Sequence, residues 1–323
     1  MTKTIVCCLI FIAVFLSHAV AQQPTLFGEN IISTEDDELG ITFTPDGHTC
    51  FFTKRTPSTI SSSTYVICYS RFIDNKWSTP EIAPFSGRYK DLNPFISPDG
   101  TQLFFISNRP GPGKTTMDGD IWRVKKEKDG WSEPENVGAP INTPGWEMSC
   151  AVTANGSLYF TSLNTSTGQQ GLYQSKLTNG KYGTPEKIGD SVNNFDDAAD
   201  IYIAPDESYL LFSSKYRPDI LTSGNGASAS YPRSDLYISF NTNGKWTTPV
   251  NAGAAINSPA EETNPSVSPD GKMLFYTSER NFITIPMKNR LTYASLEEQL
   301  HNPKNGLGDI YQVPVSVLMK KVK

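Results

Sequence analysis

The chain has 323 residues, of which 37% are hydrophobic and 19% charged, and its formal net charge is −5. This composition is typical of a folded globular protein and excludes a largely disordered chain. Because the only basic cluster is the short one of Lys320, Lys321 and Lys323, we expect no nucleic-acid partner. The 24 glycines, the 23 prolines and an aromatic content of 11% favour many short strands joined by tight turns.

The N-terminus has the pattern of a cleaved export signal. Lys3 precedes an apolar run over residues 5–15, and Ala19-Val20-Ala21 has the small-x-small form of a cleavage site. The run is shorter than the ~20 residues that a membrane span needs. We therefore expect cleavage after Ala21, a periplasmic or secreted location, and no transmembrane segment.

Three cysteines follow this signal, namely Cys50, Cys68 and Cys150. An odd number allows one disulfide at most, so the fold is not a disulfide scaffold. Cys50 and Cys68 fall in neighbouring predicted strands and could pair. The alternative is that all three are small buried apolar side chains.

A four-residue turn motif recurs five times, at intervals of 51 to 64 residues. Such a period is typical of repeated blades. In this turn proline presets φ, aspartate bonds its own backbone and glycine accepts a positive φ. The copies are Thr44-Pro45-Asp46-Gly47, Ser97-Pro98-Asp99-Gly100, Thr153-Ala154-Asn155-Gly156, Ala204-Pro205-Asp206-Glu207 and Ser268-Pro269-Asp270-Gly271.

Each turn belongs to a unit of four predicted strands. An aromatic-rich strand follows the turn, a third strand comes later, and a fourth starts at a second turn such as Asn243-Gly244-Lys245-Trp246. Four strands repeated radially predict an all-β propeller, with five blades and with six as the alternative. The aromatic-rich strands lie at 50–52, 103–105, 158–160, 210–212 and 274–276.

The fifth unit lacks a fourth strand of its own. Residues 24–28 repeat the Pro-x-x-x-Gly spacing that marks the fourth strands of the middle units. We therefore expect this N-terminal segment to complete the last blade, which closes the ring and removes an open sheet edge. The expected domain is one propeller over residues 22–317, followed by a short basic tail over 318–323.

The units resemble the WD40-like (PD40) repeats of TolB-type propellers, and they are similar to repeats in envelope proteins of the Bacteroidota. The resemblance spans residues 24–315 and implies an exported all-β propeller. TolB-type proteins usually have six blades and an additional N-terminal domain. The resemblance therefore does not imply their role.

Acidic residues recur eight positions before the Asp or Asn of each turn. In the fourth unit Ala198 holds this position, flanked by Asp197 and Asp200. Since the innermost strands start here, we expect these groups around the mouth of the channel. They could bind a cation such as Ca²⁺, the one cofactor we consider, or they could be structural clamps between blades. The candidates are Glu38, Asp91, Glu147, Asp197, Asp200 and Glu262, with Asn93 and Asn264 two positions further on.

The loops between second and third strands vary in length and should share the face of the channel mouth. Residues 291–301 in the last of these loops predict a short helix. Trp146 precedes Glu147, and an exposed indole there suits sugar stacking or a protein contact, whereas packing between blades is the alternative. The further candidates on this face are Arg109, Tyr231, Arg233, Arg280 and His301.

Enzyme motifs with a Ser/His/Asp, Cys/His or phosphate-loop pattern do not occur in the sequence. We therefore expect a monomeric, non-catalytic envelope propeller without a catalytic residue, which binds an envelope protein or a glycan through its long-loop face. The alternative is a carbohydrate-active enzyme, a glycosidase or a lyase, with carboxylates at the channel mouth. A metal-dependent lactonase that uses Asn93, Asn264 and Glu262 is a third possibility.

Overall fold

The structure is a computed structural model, and it describes residues 23–57, 63–111, 118–163, 170–195, 197–221, 233–281 and 289–319. The statements below concern these residues. The expected export signal and Tyr231 lie outside them.

Five antiparallel sheets form the blades, and they follow one another along the chain. One short strand, β1 (Thr25–Leu26), precedes the first blade. Blade 1 contains β2 (Asp37–Phe43), β3 (Thr49–Arg55), β4 (Tyr65–Ile73), β5 (Lys76–Trp77) and β6 (Glu81–Ile82). Blade 2 contains β7 (Asp91–Ile96), β8 (Gln102–Ser107), β9 (Asp120–Glu127), β10 (Gly130–Trp131) and β11 (Glu135–Asn136). Blade 3 contains β12 (Trp146–Val152), β13 (Leu158–Leu163), β14 (Gln170–Ser175), β15 (Leu177–Thr178), β16 (Lys181–Tyr182) and β17 (Glu186–Lys187).

A four-residue helix, α1 (Asp190–Asn193), leads into the fourth blade. Blade 4 contains β18 (Ala199–Ile203), β19 (Tyr209–Ser214), β20 (Asp235–Thr242), β21 (Lys245–Trp246) and β22 (Val250–Asn251). Blade 5 contains β23 (Glu262–Val267), β24 (Met273–Ser278) and β25 (Asp309–Pro314), with the helix α2 (Tyr293–Leu300) in its long loop. A last helix, α3 (Val315–Met319), follows β25, and its Leu318 is buried although the expected domain ends at residue 317.

The N-terminal strand closes the ring, as the sequence predicts. β1 pairs antiparallel with β25, which sets Thr25 opposite Gln312 and Leu26 opposite Tyr311. The innermost strands β2, β7, β12, β18 and β23 contact one another in ring order, and β23 contacts β2. The prediction of an all-β propeller with five blades is confirmed.

The turn motif between the first two strands has the geometry that its residues favour. In blade 2 the Ser97 hydroxyl donates to the Asp99 carboxylate over 2.6 Å, and the same carboxylate accepts the backbone N–H of Thr101 over 3.0 Å. Gly100 has φ +72°, a value that glycine adopts without strain. All of these turns lie at one end of the ring, away from the long loops.

Hydroxyl groups connect three of the innermost strands, β2, β7 and β18, to the preceding blade of the ring. Every innermost strand contains a β-bulge, where one backbone N–H cannot pair within its own sheet. The N–H of Gly40 donates to the Thr277 hydroxyl of blade 5 over 3.0 Å, and the N–H of Asn93 donates to the Thr53 hydroxyl of blade 1 over 3.0 Å. These bonds satisfy the bulges and fix the blades around the channel.

Cys50, Cys68 and Cys150 are free and buried. In the register of β3 and β4, Cys50 lies opposite Ser70 and Cys68 lies opposite Phe52. The two thiols are therefore two residue pairs apart along the sheet. The possible Cys50–Cys68 disulfide is wrong, and the alternative of small buried side chains is confirmed.

The predicted short helix in the blade 5 loop is confirmed as α2. Thr292 caps it, because its hydroxyl accepts the Ser295 N–H over 3.1 Å. No helix in the described parts of the chain is long and apolar enough to cross a membrane.

Two cavities open along the central channel, one at each end. The first, of about 440 Å³, lies on the long-loop face and is called the mouth cavity here. The second, of about 580 Å³, lies among the tight turns and is bordered by Val315 and Met319 of α3. A narrow neck with a free volume of about 30 Å³ separates them, so the channel is closed in the middle.

Candidate functional site

The repeated carboxylates lie beneath the mouth, buried within their own blades. Glu38 accepts the N–H of Thr34 over 2.9 Å and its hydroxyl over 2.7 Å. Glu262 makes the same two bonds with Ser258, at 2.9 and 2.6 Å. Both side chains are fully buried, and burial raises the pKa of each. In these two blades the repeated carboxylate therefore holds the turn that precedes its own innermost strand.

The predicted arginines complete these fastenings. Arg109 donates to Asp91 over 2.6 Å and to the carbonyl of Phe85 over 3.1 Å. Arg280 pairs with Glu262 over 3.3 Å and with the carbonyl of Ile256. Each arginine thus connects its blade to the segment that precedes the innermost strand of that blade.

In the fourth unit Ala198 occupies the repeated position, and the neighbouring Asp197 makes the hydrogen bonds instead. Asp197 accepts from the Ser214 hydroxyl over 2.8 Å and from the N–H groups of Lys215 and Tyr216 over 2.7 Å. It is buried and points away from the mouth cavity lining. Asp197 therefore takes the fastening role in this blade.

Three predicted residues do meet at the neck. The amide of Asn264 donates to Asn93 over 3.0 Å and to Asp200 over 3.1 Å, while the amide of Asn93 donates to the carbonyl of Met148 over 2.8 Å. All three residues have positive φ, between 45° and 52°, because each lies in the bulge of its strand. The bulges turn these side chains inward, where they close the channel.

Asp200 is the only carboxylate of this neck cluster. It accepts from the Ser213 hydroxyl over 2.9 Å, and burial raises its pKa, with the negative charge of Glu261 adding to the effect. Within the described residues, no group of three or more acidic, histidine or cysteine side chains is placed to hold a metal ion. The expectation that Ca²⁺ binds at the channel mouth stays a prediction.

The mouth cavity above the neck combines acidic, basic and aromatic side chains. Trp146 lies at its rim with 46% of its surface exposed. Gly119 leaves room for that ring, since a Cβ there would lie 3.3 Å from the indole and 2.9 Å from the Glu147 carbonyl. The polar lining residues are Arg55, Tyr65, Lys90, Asn93, Asn108, Glu147, Asp200, Glu261, Thr263, Asn264, Thr277 and Glu279.

Glu261 and Glu279 form a carboxylate pair in this cavity, and the sequence analysis did not select them. Arg233 donates to Glu279 over 2.5 Å and lies 4.0 Å from Glu261, which also pairs with Lys215 over 3.2 Å. Burial raises the pKa of Glu279, and the charge of Glu261 raises it further, although Arg233 acts in the opposite direction. The cavity wall thus holds two adjacent carboxyl groups, of which Glu279 has a raised pKa.

A sequence signal for this pair exists but is weak. Glu261 directly precedes the repeated Glu262, and Glu279 directly follows Ser278 at the end of β24. The repeat marks Glu262, whereas Glu261 and Glu279, which lie beside repeated residues, line the cavity.

Two further long-loop candidates, Arg233 and His301, lie at different distances from the mouth cavity. Arg233 lies beside the mouth cavity through its pair with Glu279. His301 is exposed at the end of α2, where it contacts Glu35 over 2.9 Å and Glu297 over 3.7 Å. It does not line the mouth cavity.

No protein-family model matches the sequence, and no curated protein matches it. Among solved structures, the chain is similar to a puromycin-hydrolyzing peptidase of Mycobacterium tuberculosis, at 12% identity and TM-score 0.42, over 75% of this chain and 34% of that one. It is similar to the periplasmic gluconolactonase of Pseudomonas aeruginosa, at 14% identity and TM-score 0.40, over 75% and 66%. It is also similar to a glucose dehydrogenase, at 12% identity and TM-score 0.44, over 87% and 82%.

These neighbours correct one expectation. All three are named as enzymes, and the matches include a second gluconolactonase and a second glucose dehydrogenase. On this finding the expectation of a non-catalytic envelope propeller is wrong, and the enzymatic alternative is the better supported one. The chain spans 34% and 66% of the length of the first two neighbours. At these identities and TM-scores neither a substrate nor a residue's role carries over to this chain.

Proposed function

We propose that the protein is a carbohydrate-active enzyme that hydrolyses a glycosidic bond in the mouth cavity. The observation that carries the proposal is the pair of Glu261 and Glu279, two adjacent carboxyl groups on the wall of one cavity, of which Glu279 has a raised pKa. Glycoside hydrolysis needs one carboxyl group that keeps its proton and one that stays ionised.

The two residues have distinct roles in this reaction. Glu279, with its raised pKa, donates a proton to the leaving oxygen as the carbon–oxygen bond breaks. Glu261, which pairs with Lys215, either forms the new bond to the sugar carbon or takes a proton from the attacking water. Arg233 holds both side chains, so it is a positioning residue.

The cavity has a suitable form for a sugar. Its volume of about 440 Å³ is within the range of about 300–1,000 Å³ that is common for small-molecule sites. Trp146 and Tyr65 offer aromatic surface for the apolar face of a pyranose, and Asn93, Asn108 and Thr263 offer groups for its hydroxyls. The closed neck beneath gives the cavity a floor.

The repeat family and the location belong to this proposal. The turn motifs support membership of the WD40-like (PD40) TolB-type repeats, and the pattern of residues 1–21 supports export. An exported glycosidase would encounter polysaccharides outside the cytoplasm. Cell fractionation with N-terminal sequencing tests this part, because the mature chain should begin at Gln22.

A panel of polysaccharides and aryl glycosides tests the activity. We expect reducing ends to appear with the wild type, and Glu279→Gln and Glu261→Gln to lower kcat at least about a hundredfold. Glu186→Gln, an exposed substitution on β17, is the matched control. Cleavage that creates a new carbon–carbon double bond would instead identify a lyase. Activity that survives in both cavity variants would contradict the proposed roles.

A further inference from the structure

A second cavity, of about 350 Å³, lies on the side of blade 2 and is called the flank cavity here. It is formed by the link from β6 to β7 on one side and by the outer part of blade 2 on the other. Its lining is rich in arginine, aromatic and serine side chains. Among the lining residues are Phe85, Arg88, Tyr89, Arg109, Trp131 and Glu133.

The two arginines of this cavity have different roles. Arg109 is committed to the fold, because it donates to Asp91 and to the carbonyl of Phe85. Arg88 is exposed, and within the described parts of the chain its guanidinium has no carboxylate partner. Its one contact of note is with the ring of Tyr89, whose centre lies 6.0 Å away. The positive charge of Arg88 is therefore exposed and unpaired with any carboxylate of the described residues.

Aromatic rings line the cavity beside this charge. Phe85 and Trp131 meet edge to face with their centres 6.4 Å apart, and both pack on Phe51 of blade 1. These contacts hold the rings in place before any ligand arrives. A rigid aromatic wall beside a free guanidinium suits a ring that has one apolar face and one carboxylate.

The flank cavity adjoins the mouth cavity. Tyr89 lines the flank cavity and the next residue, Lys90, lines the mouth cavity. The Lys90 ammonium likewise has no carboxylate partner within the described residues, whereas the neighbouring Arg55 is paired with Asp37. Two positive charges without a carboxylate partner among the described residues, those of Arg88 and Lys90, thus lie on one short segment between the two cavities.

We infer that the flank cavity is a binding subsite for an acidic sugar, and that the substrate is a glycan bearing carboxylates, such as a polyuronate. The chain would run from the mouth cavity across the segment of Arg88 to Lys90, with one uronate carboxylate on each cation and one ring against Trp131. This inference rests on the proposed function, since it names the substrate class of the same enzyme. An acidic peptide would satisfy the charges but would leave the aromatic wall without a pyranose face.

Binding to an inactive variant tests the inference separately from catalysis. Calorimetry with Glu279→Gln would compare oligogalacturonides with neutral galacto-oligosaccharides and with oligoglutamate. We expect the oligogalacturonide alone to bind measurably. Arg88→Gln should weaken that binding about tenfold, as expected for loss of one charge-assisted contact. Glu133→Gln, which removes the nearby negative charge, should strengthen it.

Arg71→Gln is the matched control, because Arg71 is also exposed on an aromatic ring but its charge is already paired with Glu81. Equal binding of neutral and acidic sugars, or an Arg88→Gln variant with unchanged affinity, would overturn the inference and leave the proposed hydrolysis intact. Oligoglutamate binding as tight as that of the oligogalacturonide would also overturn it, since charge alone would then suffice. Oligogalacturonide binding that depends on Arg88 supports the subsite even if the wild type proves not to cleave it.

Discussion

The backbone N–H of Glu279 donates to the carbonyl of Glu261 over 3.1 Å, so the two carboxylate-bearing residues are neighbours across the start of β23 and the end of β24. Their side chains therefore share one wall of the mouth cavity and one guanidinium, that of Arg233. Burial raises the pKa of Glu279, and this proximity raises it further because the charge of Glu261 disfavours ionisation of Glu279.

Arg233→Gln should move the alkaline limb of the pH–rate profile to higher pH. Arg233 lowers the pKa of Glu279, so its removal raises that pKa, and an acid that must be protonated then stays active to higher pH. The measurement is the pH dependence of kcat with an aryl glycoside. Arg71→Gln serves as the control, and a limb that stays in place or moves down would contradict the assignment of Glu279 as the acid.

Trp146→Ala should raise KM about tenfold and change the free energy of unfolding little. The indole is 46% exposed, so its loss removes stacking surface for a sugar without leaving a buried gap. Trp146→Phe should restore most of the affinity, because a flat ring remains. If Trp146→Ala instead lowered stability by several kcal/mol with KM unchanged, the ring would be a packing residue.

Arg109→Met should lower the free energy of unfolding by about 3–5 kcal/mol. The substitution leaves the Asp91 carboxylate, which is fully buried, without its cationic partner. Denaturant unfolding measures the change, and the exposed Arg71→Met should cost less than about 1 kcal/mol. A small effect of Arg109→Met would contradict the role of these arginines as fastenings between a blade and its incoming link.

Asp309 should make stability depend on pH near neutrality. Burial, together with the charges of Glu38 and Asp37, raises the pKa of Asp309 from 3.8 to about 7, and one of its carboxylate oxygens has no hydrogen-bond partner among the residues that the structure describes. Between these two pH values the unfolded chain is ionised at this position while the folded chain keeps the proton. The free energy of unfolding therefore falls as pH rises through this window, by an amount on the order of 2–4 kcal/mol.

Asp309→Asn isolates this contribution, because an amide does not titrate. We expect the variant to lose less stability than the wild type between pH 5 and pH 8. Urea unfolding at a series of pH values measures both slopes. Parallel slopes for the two proteins would show that Asp309 is already ionised in the folded state.

The sequence alone determined the architecture. The turn motifs, whose serine, aspartate and glycine bond locally as in Ser97 to Gly100, fixed the number of units, and residues 24–28 identified the strand that closes the ring. These features depend on local conformation and on alternation of apolar side chains, which a linear pattern records directly. For the same reason the sequence located the innermost strands, and with them Asn93, Asp200 and Asn264.

Only the tertiary structure decided which polar groups face the channel. Glu261 and Glu262 are adjacent in the chain, and alternation along a strand sends one to the mouth cavity and the other into the blade. The repeat marked Glu262 because this hydrogen bonding recurs along the chain, whereas Glu279, Arg88 and Lys90 occur once. Their relation depends on bulges and on contacts between blades, and such long-range contacts leave no periodic signal in the sequence.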